Sequence, residues 1–200
     1  FISQGCLVYT VYLYMSWLPN YLQTARHLSM MGSGIYTAIP FFAAAVVNIV
    51  ANWCGDRLMN AEAVRGGKRR YLVALCLLLT AVGLLIPLVP SLGGVIALVT
   101  IAVSFANVGP AANGALVSDL LRSPADAGRA FAFLVLGGNT FGLLAPIVTG
   151  YLVEWTKSFN SAFIAAGILA LIGAAAALTL ARGTIGELPR PALVRPGLAD

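Results

Sequence analysis

The sequence predicts an all-α membrane protein with six transmembrane helices, and three observations carry that reading. The chain of 200 residues is 60% hydrophobic and only 10% charged, where an ordinary soluble domain carries about 25% charged residues. A soluble chain must cover its surface with polar groups, so the deficit points to a lipid-facing exterior. Six apolar stretches reach the length of about 20 residues that a helix needs to cross a hydrocarbon core of about 30 Å: Phe1–Leu22, Gly34–Cys54, Tyr71–Val89, Gly93–Val117, Ala130–Val153 and Ser161–Ala181. No Lys, Arg, Asp or Glu lies in the middle of any of them.

The number of segments excludes a single signal peptide. Alternating strands of about ten residues are not seen, which excludes a β-barrel. Helices are then the remaining way to satisfy the backbone in lipid. Phe1 already stands inside an apolar run, and the expectation is a fragment that lacks an upstream half.

The first segment carries Ser3, Gln4, Tyr9, Thr10, Tyr12, Tyr14 and Ser16. Gln4 and Tyr12 are eight residues apart, about a quarter turn, so both can face one cavity. Trp17 and Tyr21 suit an interfacial belt, and Pro19 is expected to end or kink the helix. The second segment holds Pro40, then Asn48 and Asn52 one turn apart, and closes on Gly55-Asp56-Arg57-Leu58. The third is almost wholly apolar and is expected at the periphery, facing lipid.

The fourth segment holds the densest polar cluster: Ser104, Asn107, Gly109, Pro110, Asn113 and Gly114. Pro110 lacks an N–H and predicts a broken helix, which at membrane depth requires a protein or water-filled lining. The fifth has Gly137, Gly138, Asn139, Thr140 and Gly142, then Pro146, with small residues suited to close helix approach. The sixth is alanine-rich and reads as peripheral or structural. Polar groups thus gather in the first, fourth and fifth segments, which predicts a cavity lined by some helices and supported by others.

Charge sets the orientation, because cytoplasmic loops accumulate Lys and Arg. Arg57, Arg65, Lys68, Arg69, Arg70, Arg122, Arg129, Arg182, Arg190 and Arg195 fall on one side of a six-helix chain, against Arg26 and Lys157 on the other. The basic side is expected in the cytoplasm, with both ends of the chain. The net charge of +5 follows from this bias and is no sign of nucleic-acid binding, since the charges flank apolar spans. Residues 1–181 read as one six-helix bundle, and Arg182–Asp200, rich in Pro and Gly, as a disordered cytoplasmic tail.

Cys6, Cys54 and Cys76 form no C-x-x-C pair and read as small core residues. His27, the one histidine, lies in a loop, so no histidine-based metal site is expected, and no cofactor.

Several stretches together resemble one family. Trp17-Leu18-Pro19-Asn20-Tyr21-Leu22 resembles the W-x-P-x-Y-L signature closing the seventh helix of the anion:cation symporter family, within the major facilitator superfamily. Ile39-Pro40-Phe41 through Gly55-Asp56-Arg57-Leu58, followed by a basic run, resembles the eighth helix and its cytoplasmic loop. Val117-Ser118-Asp119 before a Pro-containing loop resembles the end of the tenth. Gly138-Asn139 through Ala145-Pro146-Ile147-Val148-Thr149-Gly150-Tyr151, then Ser158-Phe159-Asn160, resembles the eleventh and its exit.

The resemblance implies the C-terminal bundle of a two-bundle transporter that rocks around a midplane site. It implies proton-driven uptake of a small organic anion, such as a sugar acid or other carboxylate, across a bacterial inner membrane. The partners implied are that anion, the proton, the lipid bilayer and an N-terminal bundle. Gln4, thirteen positions before Trp17, matches a substrate-contacting glutamine of sugar-acid members, and Asn139 matches a family asparagine. Val135 stands where the family has another asparagine, Gly114 lacks a nearby tryptophan, and Asn52 replaces the glycine of the G-x-x-x-D-R loop pattern.

The substrate-lining candidates are therefore Gln4, Tyr12, Asn107, Asn113, Asn139 and Thr140, each weighed against a plain interhelical or same-helix hydrogen bond. Asp56 and Arg57 are the gating candidates, weighed against simple topology charges. The alternatives are an exporter of the same superfamily for another substrate class, a non-transporting membrane subunit and an intramembrane enzyme. The enzyme lacks a nucleophile with a base, and no charged ring or filter-like loop supports a channel.

Overall fold

The computed structural model describes residues 1–58 and 68–181, without the side chains of Asp56 and Leu58. The tail expected over 182–200 and most of the basic loop lie outside the described residues. Among the described residues six α-helices follow one another: α1 (Ile2–Thr24), α2 (Met30–Leu58), α3 (Arg69–Thr80, continued by a 3-10 helix over Ala81–Leu88), α4 (Leu92–Leu120), α5 (Ala127–Thr156) and α6 (Asn160–Leu180). Five of them are long and apolar enough to cross a membrane. The other, α1, has the length at 23 residues but carries Gln4, Thr10 and four tyrosines, of which Tyr9, Tyr14 and Tyr21 are buried.

That polarity is explained by position, because α1 is the helix the others surround. It packs along α5, α6 and α4, while α2 packs chiefly on α4, and α3 on α4 and α6. The floor of one face is thus α1 and α4, with α2 and α5 as its flanks. The α1–α5 contact is close because glycines face it. A Cβ on Gly142 would lie 3.1 Å from Val8, and one on Gly150 would lie 3.3 Å from Trp17. Packing of this kind replaces the hydrophobic drive that lipid removes. Trp17 adds a hydrogen bond, its Nε1 donating to the Pro146 carbonyl at 3.2 Å.

Opposite α5, α1 meets α6 through aromatic rings. Tyr14, fully buried, stacks on Phe163 with centroids 5.9 Å apart, and Tyr21 meets the same ring edge-on at 5.0 Å. The alanines of α6 let α3 approach: Ala162, Ala166, Ala170, Ala174 and Ala177 are all buried.

Two expectations from the sequence are corrected. Pro110 does not break α4, which runs unbroken for 29 residues. A proline costs one backbone bond and a steric push, and here flanking turns and neighbouring helices hold the segment. Pro19 does not end α1 either, since the helix continues to Thr24. The reversal comes later, at His27, which takes a positive φ of 54°.

Burial differs between the helices of this unit, and α3 keeps Leu75, Leu78, Leu85 and Leu88 exposed. Within this unit the polar-poor α3 and α6 are well packed, with 44% and 39% of their spans buried, whereas the α2 span is 11% buried and the α5 span 28%. Burial follows neighbours rather than polarity: α3 and α6 lie against each other and the floor, while the flanks keep their outer faces open.

The loops cluster at two ends. At one, Arg26 Nη1 and Nη2 donate to the carbonyls of Pro90 and Val89 at 2.6 and 2.8 Å, tying the α1–α2 turn to the α3–α4 turn. At the other, Arg69 and Asp119 join the start of α3 to the end of α4.

Candidate functional site

Two helices bring polar side chains together, against a glycine of a third. Asn113 of α4 donates from Nδ2 to Gln4 Oε1 of α1 at 3.0 Å, and its Oδ1 accepts from Ser3 Oγ at 3.3 Å. Asn113 and Gln4 are both buried. Gln4 rests on α5 where Gly138 offers no side chain, its Cγ being 3.4 Å from where a Cβ would stand. Two turns along α1, Tyr12 borders the same helix at Gly142, 3.4 Å from the corresponding position. Gln4 and Tyr12 therefore both line the α1–α5 seam, and Tyr12 is 43% exposed.

The remaining candidates are not joined to this cluster by hydrogen bonds. Asn107 donates from Nδ2 to the Val103 carbonyl of its own helix at 2.8 Å. Thr140 likewise turns its hydroxyl to the Leu136 carbonyl at 2.8 Å. Asn139, next to Gly138, is exposed and has no hydrogen-bond partner among the described residues. Of the gating pair, Arg57 lies with its guanidinium 3.9 Å from the centre of the Trp53 ring, a cation–π contact, and the side chain of Asp56 lies outside the described residues.

Ser3 is the member of the cluster that sequence reasoning left out of the site. Its position beside Gln4 was visible, but only the register between α1 and α4 brings it to Asn113. The Arg69–Asp119 pair was missed for the same reason: the two are 50 positions apart, Arg69 counted as a loop charge and Asp119 as part of a helix end.

Chemically, the cluster is neutral. Its amides and hydroxyls can orient hydroxyl groups or a carboxylate, but they neither neutralise a charge nor titrate near neutral pH. Among Ser3, Gln4, Tyr12, Asn107, Asn113, Asn139 and Thr140 no side chain is a carboxylate or a strong base.

Comparison with known proteins gives a coherent set. The family model described as Major Facilitator Superfamily matches residues 1–197. Among curated proteins, the chain is similar to one named "Hexuronate transporter" of Bacillus subtilis (strain 168), 28% identical over 182 residues, covering 90% of this chain and 43% of the relative. It is similar to a "Probable L-galactonate transporter" of Escherichia coli (strain K12), 31% identical over 182 residues, with 90% and 40% covered. A "D-galactonate transporter" of Escherichia coli O6:H1 is 26% identical over 192 residues, with 95% and 43% covered. The chain thus spans less than half the length of these relatives.

Proposed function

Because the chain belongs to the major facilitator superfamily, we propose that it is the C-terminal six-helix bundle of a secondary active transporter that takes up a small organic anion with a coupling proton. It is an integral, multi-pass membrane protein. The anion is a sugar acid or other carboxylate, in keeping with relatives named for hexuronate and galactonate. Residues 1–181 form the bundle and 182–200 a cytoplasmic tail. The membrane is a bacterial inner membrane, and both ends of the chain face the cytoplasm.

The observation that carries the reading is the amide cluster. Gln4 is held by Asn113 at the junction of α1, α4 and α5, and the α2 and α5 spans are the least buried of the five apolar spans. Transporters of this architecture bind at the interface between two repeats, and an open polar face on one repeat suits that arrangement. Gln4 contacts the ligand, Tyr12 and Asn139 line its path, and Asn107 and Thr140 contribute polar surface. The neutral character of the cluster assigns the charge-handling groups to a second bundle, since an unpaired buried charge costs several kcal/mol. Asp56 and Arg57, at the end of α2, act as a conformational latch.

The test is uptake by the complete transporter in membrane vesicles with an imposed proton gradient. Accumulation of a labelled hexuronate or aldonate, abolished by a protonophore, is the expected result. Preference for neutral sugars or cationic drugs overturns the reading.

A further inference from the structure

A groove separates α2 from α3. Both helices pack on α4, but they scarcely touch each other. The gap has a volume of about 290 Å³, with Ala51 and Gly55 on its α2 wall, Leu72 and Leu75 on its α3 wall, and α4 as its floor from Phe105 to Ala115. Ten residues of helix rise about 15 Å, half of a hydrocarbon core of about 30 Å, so the groove is one leaflet deep. Its walls are small: a Cβ on Gly55 would meet only Leu72, at 3.9 Å. Among the described lining residues the one amide is Asn52, whose Nδ2 turns back to the Asn48 carbonyl of its own helix at 2.8 Å, and the one charge is Arg69.

Arg69 marks the end of the groove where α3 begins. The N-cap of that helix, Lys68, makes no side-chain cap hydrogen bond, and no acid stands in the first turn. The orphan N–H groups and the positive end of the helix dipole lie here. Arg69 has five donors and, among the described residues, the one partner Asp119. At the adjoining helix ends Arg57, Lys68, Arg69 and Arg70 stand against Asp56 and Asp119, an excess of positive charge. Arg70 itself is turned to the Tyr71 hydroxyl.

We propose that this groove binds a phospholipid of net negative charge, with one acyl chain along α4 between α2 and α3 and the phosphate at the first turn of α3. The proposal does not depend on which anion is transported. An empty apolar slot loses dispersion contacts along its whole lining, and water finds too few polar partners in it. A hydrocarbon chain supplies those contacts. The headgroup phosphate accepts from Arg69 and from first-turn N–H groups, and Lys68 draws it in. A free phosphate fills the charged end alone and leaves the slot open. The bound lipid joins α2 to α3, two helices that the protein leaves apart.

The experiment titrates the complete transporter in neutral detergent with phosphatidylglycerol and reads the melting temperature. Phosphatidylglycerol should raise it by about 3 °C at saturation, and phosphatidylcholine or inorganic phosphate by much less. Gly55→Leu and Ala111→Leu fill the groove from two walls. Without lipid they should melt no lower than the parent, and each should lose most of the phosphatidylglycerol shift. Lys68→Glu should raise the titration midpoint about tenfold. No shift in the parent, or an equal one with phosphatidylcholine, overturns the proposal. An equal shift with inorganic phosphate shows an anion site without a lipid and overturns it too. A full shift in both groove variants puts the lipid elsewhere, and a lower melting temperature of both without lipid shows that the groove has no room; either result overturns the groove. An unchanged midpoint in Lys68→Glu overturns the headgroup position. Should one groove variant misfold, the other decides.

Discussion

Arg69 Nε lies 3.0 Å from Asp119 Oδ2, joining the first turn of α3 to the last turn of α4. Taken separately, each residue opposes its own helix: a cation stands at an N-terminus and an anion at a C-terminus, against the macrodipoles. Pairing offsets both penalties, because it brings the carboxylate to the N-terminal end of α3 and the guanidinium to the C-terminal end of α4. The side chains are 17% and 19% exposed, between the surface and buried cases. Asp119→Asn should therefore lower stability by about 1 to 2 kcal/mol. The exchange Arg69→Asp with Asp119→Arg should recover most of the loss, since it restores the pair and sets each charge at the helix end that favours it. Thermal melting in detergent measures both.

Orientation is the next expectation. The basic loop around Arg65–Arg70 should be shielded from reagents applied outside intact cells, and a cysteine placed at Lys157 should react with them. Labelling of the basic loop from outside refutes the assignment of both chain ends to the cytoplasm.

The latch proposal places Asp56 at a cytoplasmic helix end, where it can engage the positive end of another helix or an arginine of the second bundle. Asp56→Asn should slow transport severalfold while membrane insertion and expression stay normal. An unchanged maximal rate removes the latch.

Two glycines of α5 should respond with opposite sign. A side chain on Gly142 meets Val8 at 3.1 Å, so Gly142→Leu overpacks the α1–α5 seam and should cost about 3 kcal/mol. Gly128, also on α5, has nothing within 4 Å of a Cβ. Gly128→Ala should stabilise by about 0.5 to 1 kcal/mol through helix propensity. Thermal unfolding followed by size-exclusion chromatography separates the two.

Residues 1–200 reconstituted alone in liposomes should not accumulate any organic anion under a pH gradient. The six spans carry no central cation to balance the substrate and no central carboxylate to carry a proton, both of which a charged substrate in low dielectric requires. Proton-coupled accumulation by this segment alone would show that the division of labour between two bundles is wrong.

The fold class was legible in the sequence, and the number of spans approximately so, with five helices among the described residues long and apolar enough to cross a membrane, because transfer of apolar side chains from water to lipid depends on composition and length alone. Helix ends were legible to within a few residues, and Gly138 and Gly142 announced a close helix contact. Nothing local distinguished Pro110, which α4 accommodates, from a proline that breaks a helix. Nor did the apolar character of α3 reveal whether its neighbours are helices or lipid, since both are equally apolar to a leucine.

By itself, then, the sequence determined that these residues cross a membrane as helices, and which of them are polar at membrane depth. The tertiary structure alone decided which polar residues meet. Gln4 and Asn113 are 109 positions apart, and their hydrogen bond exists only because α1 and α4 pack in one register. A hydrogen bond needs its partners near 3 Å and correctly angled, a condition on the arrangement of helices and not on any stretch of chain. The same register leaves Asn107 and Thr140 bonded within their own helices. It leaves Gln4 Nε2, alone of the cluster's amide ends, without a hydrogen-bond partner among the described residues.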